Sequence, residues 1–302
     1  MNIFITGIKG FVGSHLANAL FEQGHKVLGI DNLFHPCLNI TKMEFTYGDI
    51  RDKDLVDSFV SKSDIVFHLA AQIHVDYSIE HPQETVDINV SGTLNVLEAC
   101  RRYKKKLIFA STSEAYGSSQ TDVMNEEHPL DCQSPYGASK VAGDRLCKAY
   151  IDTYGMDIVI VRNFNIFGPY QNDTSYGSVI AKFTTAAYLG QPLQIYGNGE
   201  QERDYMYIDD AIQAYMAAIK LPSGVYNFGT GITVKIKELA ELIKKYSNSV
   251  SKIEFITARA GEVQRLCADI SKSQIHGFKS DTDFNRDLLK YVKWYETTRS
   301  AE

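Results

Sequence analysis

Up to about Arg162, short apolar runs alternate with longer stretches in which apolar positions recur every three or four residues. Asn2-Ile-Phe-Ile-Thr6 predicts a first strand. Phe11 to Gln23 predicts a helix, with Val12, Leu16, Ala19 and Leu20 on one face, and Lys26 to Ile30 a second strand. Further strands fit residues 44–47, 64–69, 106–111 and 157–162, with helical windows at 83–103 and 135–154. A chain that alternates strand and helix in this way builds βαβ units, and the expected fold class is α/β, a Rossmann-type doubly wound parallel sheet.

After Asn165 the texture changes. Phe167-Gly-Pro-Tyr170 and Gly197-Asn-Gly199 are turn-rich, and Leu288, Leu289, Val292 and Tyr295 predict a closing helix over residues 284–295. The expected division is residues 1–165 as a dinucleotide-binding domain and 166–302 as a smaller substrate-binding region, with some later segments returning to the first.

Composition narrows the function classes. The 302 residues are 44% apolar and 23% charged, enough for a sizeable core. The net charge of −6 argues against a nucleic-acid partner. The one basic run, Arg101 to Lys106, follows a helical window and suits a solvated helix C-terminus. Five scattered cysteines without a C-x-x-C pair indicate neither a disulfide framework nor a metal site, which fits a reducing, cytoplasmic setting. No segment approaches the ~18 apolar residues of a membrane span, so no membrane partner is expected.

The chemistry begins at Gly7-Ile-Lys-Gly10-Phe11-Val12-Gly13, between the first strand and the first helix. Glycines there permit a tight turn and let backbone N–H groups reach a diphosphate at the helix N-terminus. Asp31, eighteen residues past Gly13 at the end of the second strand, can accept hydrogen bonds from the adenosine ribose and would repel a 2′-phosphate, so NAD is expected over NADP. Asp49-Ile50, after the third strand, stands where the adenine would lie. Farther on, Tyr136 and Lys140 are four residues apart, on one face of a helix. An ammonium beside a phenol is expected to lower its pKa from about 10 toward neutrality, which would make a base of it.

These motifs, with His68-Leu-Ala-Ala-Gln72, Asn89-Val-Ser-Gly-Thr93, Arg162-Asn-Phe-Asn165, Gly197 to Asp210 and Trp294-Tyr295, resemble the extended short-chain dehydrogenase/reductases that modify nucleotide sugars. The resemblance covers nearly the whole chain. It implies a bound NAD held also by Asn32, Leu69, Ala70, Ala71 and Asn89, and Tyr136 as the base at the sugar's 4-hydroxyl with Thr112 assisting. For the nucleotide end it implies Asn165 at a phosphate, Val179, Lys182 and Phe183 with Gln194 and Tyr196 around the base, and Arg203 with Arg259 on the diphosphate. It also implies a homodimer built on the 83–103 and 135–154 windows, with a UDP-sugar the favoured substrate.

Within that family Thr112-Ser113-Glu114 is similar to the triplets of dehydratases and decarboxylases, in which the Glu serves as base at C5. The leading expectation is a dehydratase working through a 4-keto sugar, with a 4-epimerase as the alternative and a decarboxylase behind it. A non-catalytic dinucleotide sensor should lack Tyr136 or Lys140, and both are present.

Overall fold

The computed structural model describes residues 1–37, 43–173, 177–258 and 262–299. The first half runs β1 (Asn2–Thr6), α1 (Phe11–Glu22), β2 (Lys26–Asp31), β3 (Glu44–Tyr47), α2 (Lys53–Val60), β4 (Ile65–His68), α3 (Val75–Glu80), α4 (Pro82–Val86), α5 (Thr93–Tyr103), β5 (Lys106–Thr112), α6 (Pro135–Tyr154) and β6 (Ile158–Asn163). Pairing is parallel throughout, and the seven-stranded sheet has the order β10-β6-β5-β4-β1-β2-β3, where β10 is Gly224–Phe228. A late segment thus returns to the first sheet.

Successive side chains of a strand point to opposite faces, and both faces here are covered. Ile3 and Ile5 of β1 enter a core with Leu16, Ala17 and Leu20 of α1, while Phe4 between them enters a second core with Val56, Val96, Leu97 and Cys147. That two-sided burial explains why the central strands read as apolar runs rather than alternating patterns. The chain builds outward from β1 to β3 and then returns to β4 on the other side of β1. This reversal opens a crevice at the carboxyl ends of β1 and β4, where doubly wound sheets bind ligands.

The remaining elements are β7 (Asn165–Phe167), α7 (Val179–Tyr188), β8 (Leu193–Tyr196), β9 (Glu202–Tyr207), α8 (Ile208–Ala218), β11 (Thr233–Lys235), α9 (Ile236–Tyr246), β12 (Ile253–Ile256), β13 (Arg265–Leu266), α10 (Ser271–Ile275) and α11 (Phe284–Arg299). Strands β11, β9 and β13 form a small sheet with β7 also on β9, and β12 pairs with β8. Helix α11 continues four residues past the expected end at Tyr295 because Arg299 is anchored to Asp173, at 2.5 Å.

The 83–103 window holds two helices joined by a wider turn of π geometry over Asp87–Gly92. Periodicity did not reveal this turn, since the flanking apolar positions still face the core.

A buried ion pair fastens the sheet to α6, and the same guanidinium holds the loop before that helix. Arg162 of β6 makes two 2.9 Å hydrogen bonds to the Asp144 carboxylate of α6, and also donates to Tyr116 Oη and to the Glu126 carbonyl. Tyr116 Oη in turn donates to Asn227 of β10 at 2.7 Å.

Candidate functional site

A cavity of 310 Å³ lies along the carboxyl edge of the sheet. At its centre the glycine turn meets the loop after β4. Gly7 has φ +74°, and a Cβ there would lie 2.9 Å from Ala70 N. A Cβ on Gly13 would lie 2.0 Å from the Gly7 carbonyl oxygen, so the turn closes only with glycine at that position. Helix α1 starts from Gly10, whose lack of a side chain leaves the first-turn N–H groups without a side-chain cap. Phe11 and Val12 line the cavity with the three glycines.

At one end Asp31 and Asn32 of the β2 terminus meet Asp49 and Ile50. The Asp31 carboxylate accepts from Lys9 N at 2.8 Å and Leu33 N at 2.7 Å, which fixes its orientation. Burial raises its pKa against those bonds. Asp49 is chelated by Arg51 through Nε at 2.9 Å and Nη2 at 2.8 Å. Burial pushes Asp49 up, but the Arg51 bonds outweigh it and leave the carboxyl below its ordinary value. Leu69, Ala70 and Ala71 form the floor, and Thr6 Oγ1 accepts from Ala70 N at 3.2 Å to hold it.

At the other end stand Ser111, Tyr136 and Lys140. Ser134 caps α6 by accepting from Gly137 N, and Pro135 opens the helix, which sets Tyr136 in its first turn. Thr112 ends β5, accepts from Glu114 N at 3.2 Å, and is hydrogen-bonded to the Tyr136 side chain. Ser113 is buried and Glu114 half-buried, and like Thr112 they stand beside the cavity end rather than on its lining. Burial raises the Glu114 carboxyl; the charge of Arg203 opposes this and that of Glu262 adds to it.

The expected activation of Tyr136 by Lys140 is corrected by the structure. Lys140 Nζ donates to the Ala110 carbonyl at 2.6 Å and sits 4.7 Å from the Phe109 ring centre, so its ammonium is engaged by the strand. Burial pushes Lys140 down to about 8. Burial pushes Tyr136 up to about 12; the Thr112 bond opposes this and the Glu114 charge adds to it.

Two further expectations change. Asn89 lies outside the cavity lining. Its amide donates to the Gln72 carbonyl and Ser139 Oγ and accepts from Gln72 N, so it braces the loop after β4 against α6 rather than facing a ligand. Phe183 is buried in the main core at 4% exposure, which leaves only its backbone for a nucleotide base.

Of the other nucleotide-end residues, Asn165, Val179 and Lys182 are half-buried, and Gln194 and Tyr196 are exposed on β8. None lines the cavity. Arg203 is buried and paired with Glu262 at 3.4 Å. Arg259 lies outside the described residues. Motif reasoning missed Phe34, His35, Tyr77 and Tyr215, which belong to no spaced pattern, and gave no role to Asn163 within Arg162-Asn-Phe-Asn165; all five are on the cavity wall.

The cavity suits a dinucleotide: uncapped helix N–H groups for a diphosphate, an oriented carboxylate for a ribose, and an elongated, largely apolar wall between them. Among the described residues no group of His, Cys, Asp or Glu could hold a metal ion, and no helix is long and apolar enough to cross a membrane.

Comparison with known proteins agrees along the whole chain. The model of the NAD dependent epimerase/dehydratase family matches residues 3–229. A putative UDP-glucose 4-epimerase of Methanocaldococcus jannaschii is 36% identical, with 97% of each chain covered. Among solved structures, a UDP-glucose 4-epimerase from Thermotoga maritima with UDP-glucose superposes with TM-score 0.95 at 30% identity, covering 99% of this chain and all of the other. The dTDP-glucose 4,6-dehydratase DesIV of Streptomyces venezuelae, with NAD bound, gives 0.93 at 29% identity, covering 100% of this chain and 98% of the other. With its glycine turn, its Tyr136 and Lys140 and these relatives, the chain belongs to the NAD-dependent epimerase/dehydratase family and is an NAD-dependent enzyme of the nucleotide-sugar epimerase and dehydratase type.

Proposed function

We propose that the chain converts a nucleoside-diphosphate sugar, a UDP-sugar by preference, through a 4-keto intermediate and eliminates water across C5 and C6, with Glu114 as the C5 base. The observation that carries this reading is the Glu114 carboxyl: half-buried, raised in pKa, and close enough to Tyr136 and Arg203 to exchange electrostatic influence with both. Bound NAD supplies the hydride acceptor and donor, and a positive ring charge in the cavity that Tyr136 lines. Tyr136 Oη, held by Thr112, takes the 4-hydroxyl proton. Lys140 leaves the Ala110 carbonyl to add its charge to that end of the cavity. Once C4 is a ketone, the C5 hydrogen is acidified; Glu114 takes that proton and passes it to the C6 hydroxyl, which departs as water, and the C5–C6 alkene so formed takes back the C4 hydride at C6 and a proton at C5.

A second reading, 4-epimerisation, is favoured by one residue. Position 113 beside the proposed base is a buried serine, which offers no carboxylic acid to protonate a departing hydroxyl. In that case Glu114 only shapes the sugar pocket. Mass spectrometry of products from a panel of UDP-, dTDP- and GDP-sugars separates the two: loss of water supports dehydration, and unchanged mass with altered stereochemistry overturns it.

The nucleotide end is assigned to Asn165, Arg203 and the α7 and β8 segments. Self-association is assigned to α5 and α6, where Val86, Leu94 and Tyr154 leave apolar surface exposed on or beside these helices. A dimer in analytical ultracentrifugation supports this, and a monomer at micromolar concentration overturns it.

A further inference from the structure

Two polar side chains at the catalytic end of the cavity have no role in the reading above. Asn163 ends β6 and Tyr215 lies on α8, and both line the cavity that Ser111, Tyr136 and Lys140 also line. Asn163 Nδ2 donates to Tyr215 Oη at 2.5 Å, which anchors the side chain at that wall. The other end of that amide, Asn163 Oδ1, is buried and has no hydrogen-bond partner among the described residues.

Tyr215 is itself 1% exposed and edge-on to Phe67, with ring centres 6.4 Å apart, so it is a firm support. It lines the same cavity as Tyr136, which puts the pair near the reacting end. A buried acceptor without a donor is costly, and native proteins rarely keep one that serves nothing. In a cavity wall it is open to a donor on a bound ligand.

The glycine turn and Asp31 occupy the middle and the far end, where a diphosphate and an adenosine ribose belong. The nicotinamide half then lies beside Tyr136 and Asn163. Its N–H donor is the carboxamide amino group; its ribose hydroxyls are the other donors.

We propose that Asn163, oriented by Tyr215, accepts a hydrogen bond from the nicotinamide carboxamide and so fixes the rotation of the ring in the cavity. This rests on the cavity being the NAD site. The pair thereby helps decide which face of the ring is turned to the sugar, a requirement of any reaction in which hydrogen leaves and returns at defined carbons.

The test compares NAD with 3-acetylpyridine adenine dinucleotide, in which an acetyl group replaces the carboxamide. The analogue keeps the shape and every ribose hydroxyl but has no amino donor. Affinities are measured by calorimetric titration of protein freed of dinucleotide, without substrate. Wild type should prefer NAD by about five- to a hundredfold, the range for a buried hydrogen bond lost with its acceptor left unpaired. Asn163→Leu should abolish the preference. Tyr215→Phe, which leaves Asn163 in place but unheld, should reduce it, and this variant decides the matter if Asn163→Leu does not fold. Asp31→Ala should weaken both dinucleotides and keep their ratio.

Equal affinity of wild type for the two dinucleotides, or an unchanged ratio in Asn163→Leu, would overturn the proposal while leaving the NAD site intact. Failure of wild type to bind either dinucleotide would overturn the site and the proposal together.

Discussion

Replacing Glu114 by Gln keeps the shape of the side chain and removes only the charge and the basicity. Two effects oppose each other. The carboxylate contributes to the high pKa of Tyr136, so its loss should ease deprotonation of the phenol and leave oxidation at C4 intact or faster. Loss of a positioned base at C5 should slow the following step by about 10²–10⁴-fold, or about 2.7–5.4 kcal/mol on the barrier. The variant should therefore accumulate reduced cofactor, seen by its near-ultraviolet absorbance after rapid mixing with a sugar nucleotide. It should also fail to exchange the C5 hydrogen with deuterium oxide.

The pH dependence has a definite sign. Burial holds the Glu114 carboxyl above its ordinary value, and only the carboxylate is a base, so wild-type elimination should fall as pH drops through that raised value. The Gln variant should lose this acidic limb. Stability should move the other way. A carboxyl with a raised folded-state pKa binds its proton more tightly in the folded chain, so stability falls as pH rises from the unfolded to the folded value. Gln stands in for the protonated form, and the variant should melt higher than wild type at neutral pH. A Glu114→Gln enzyme with unchanged turnover and undiminished C5 exchange would refute the assignment and leave the 4-epimerase.

Tyr136→Phe should suppress dehydration and epimerisation alike by about 10²–10⁴-fold, since both begin with removal of the 4-hydroxyl proton; a variant that still reduces its cofactor on mixing with sugar nucleotide would disprove this role. Asp31→Ala should weaken NAD more than NADP, because it removes a ribose acceptor and the repulsion of a 2′-phosphate together; equal losses in dinucleotide titrations would place Asp31 away from the ribose. Arg162→Met leaves Asp144, with its side chain 1% exposed, buried without a cation, and should cost about 3–5 kcal/mol in denaturant unfolding. The double variant Arg162→Met/Asp144→Leu should recover part of that loss, and no recovery would mean that the bonds to Tyr116, Glu126 and Ser111, not the buried charge, carry the stabilisation.

The strands of the first half and the helices at 11–22, 93–103 and 135–154 were legible in the chain because a doubly covered parallel sheet requires apolar runs such as residues 65–68, separated by helices with one apolar face; the short helices Lys53–Val60 and Val75–Glu80 were not expected. The cofactor turn was legible for a related reason. Gly7 and Gly13 stand where a side chain would meet backbone at 2.9 and 2.0 Å, a constraint so local that residue type and spacing express it. Asp31 and Tyr136 with Lys140 belong to the same class, since the strand end and the helical repeat fix their positions.

Tertiary structure decided what depends on neighbours remote in sequence. Whether Lys140 lowers the pKa of Tyr136 is set by the Ala110 carbonyl that takes its ammonium and by the water excluded around the phenol, neither of which a four-residue spacing encodes. Asn89 and Phe183 carry motif positions, yet one serves as a brace between Gln72 and Ser139 and the other fills core. Asn163 and Tyr215 meet across 52 residues at the cavity wall and leave no periodic trace. Local geometry repeats along a chain and can be read from it. Desolvation and the pairing of polar groups depend on which distant segments close around a site, and only the folded chain brings those together.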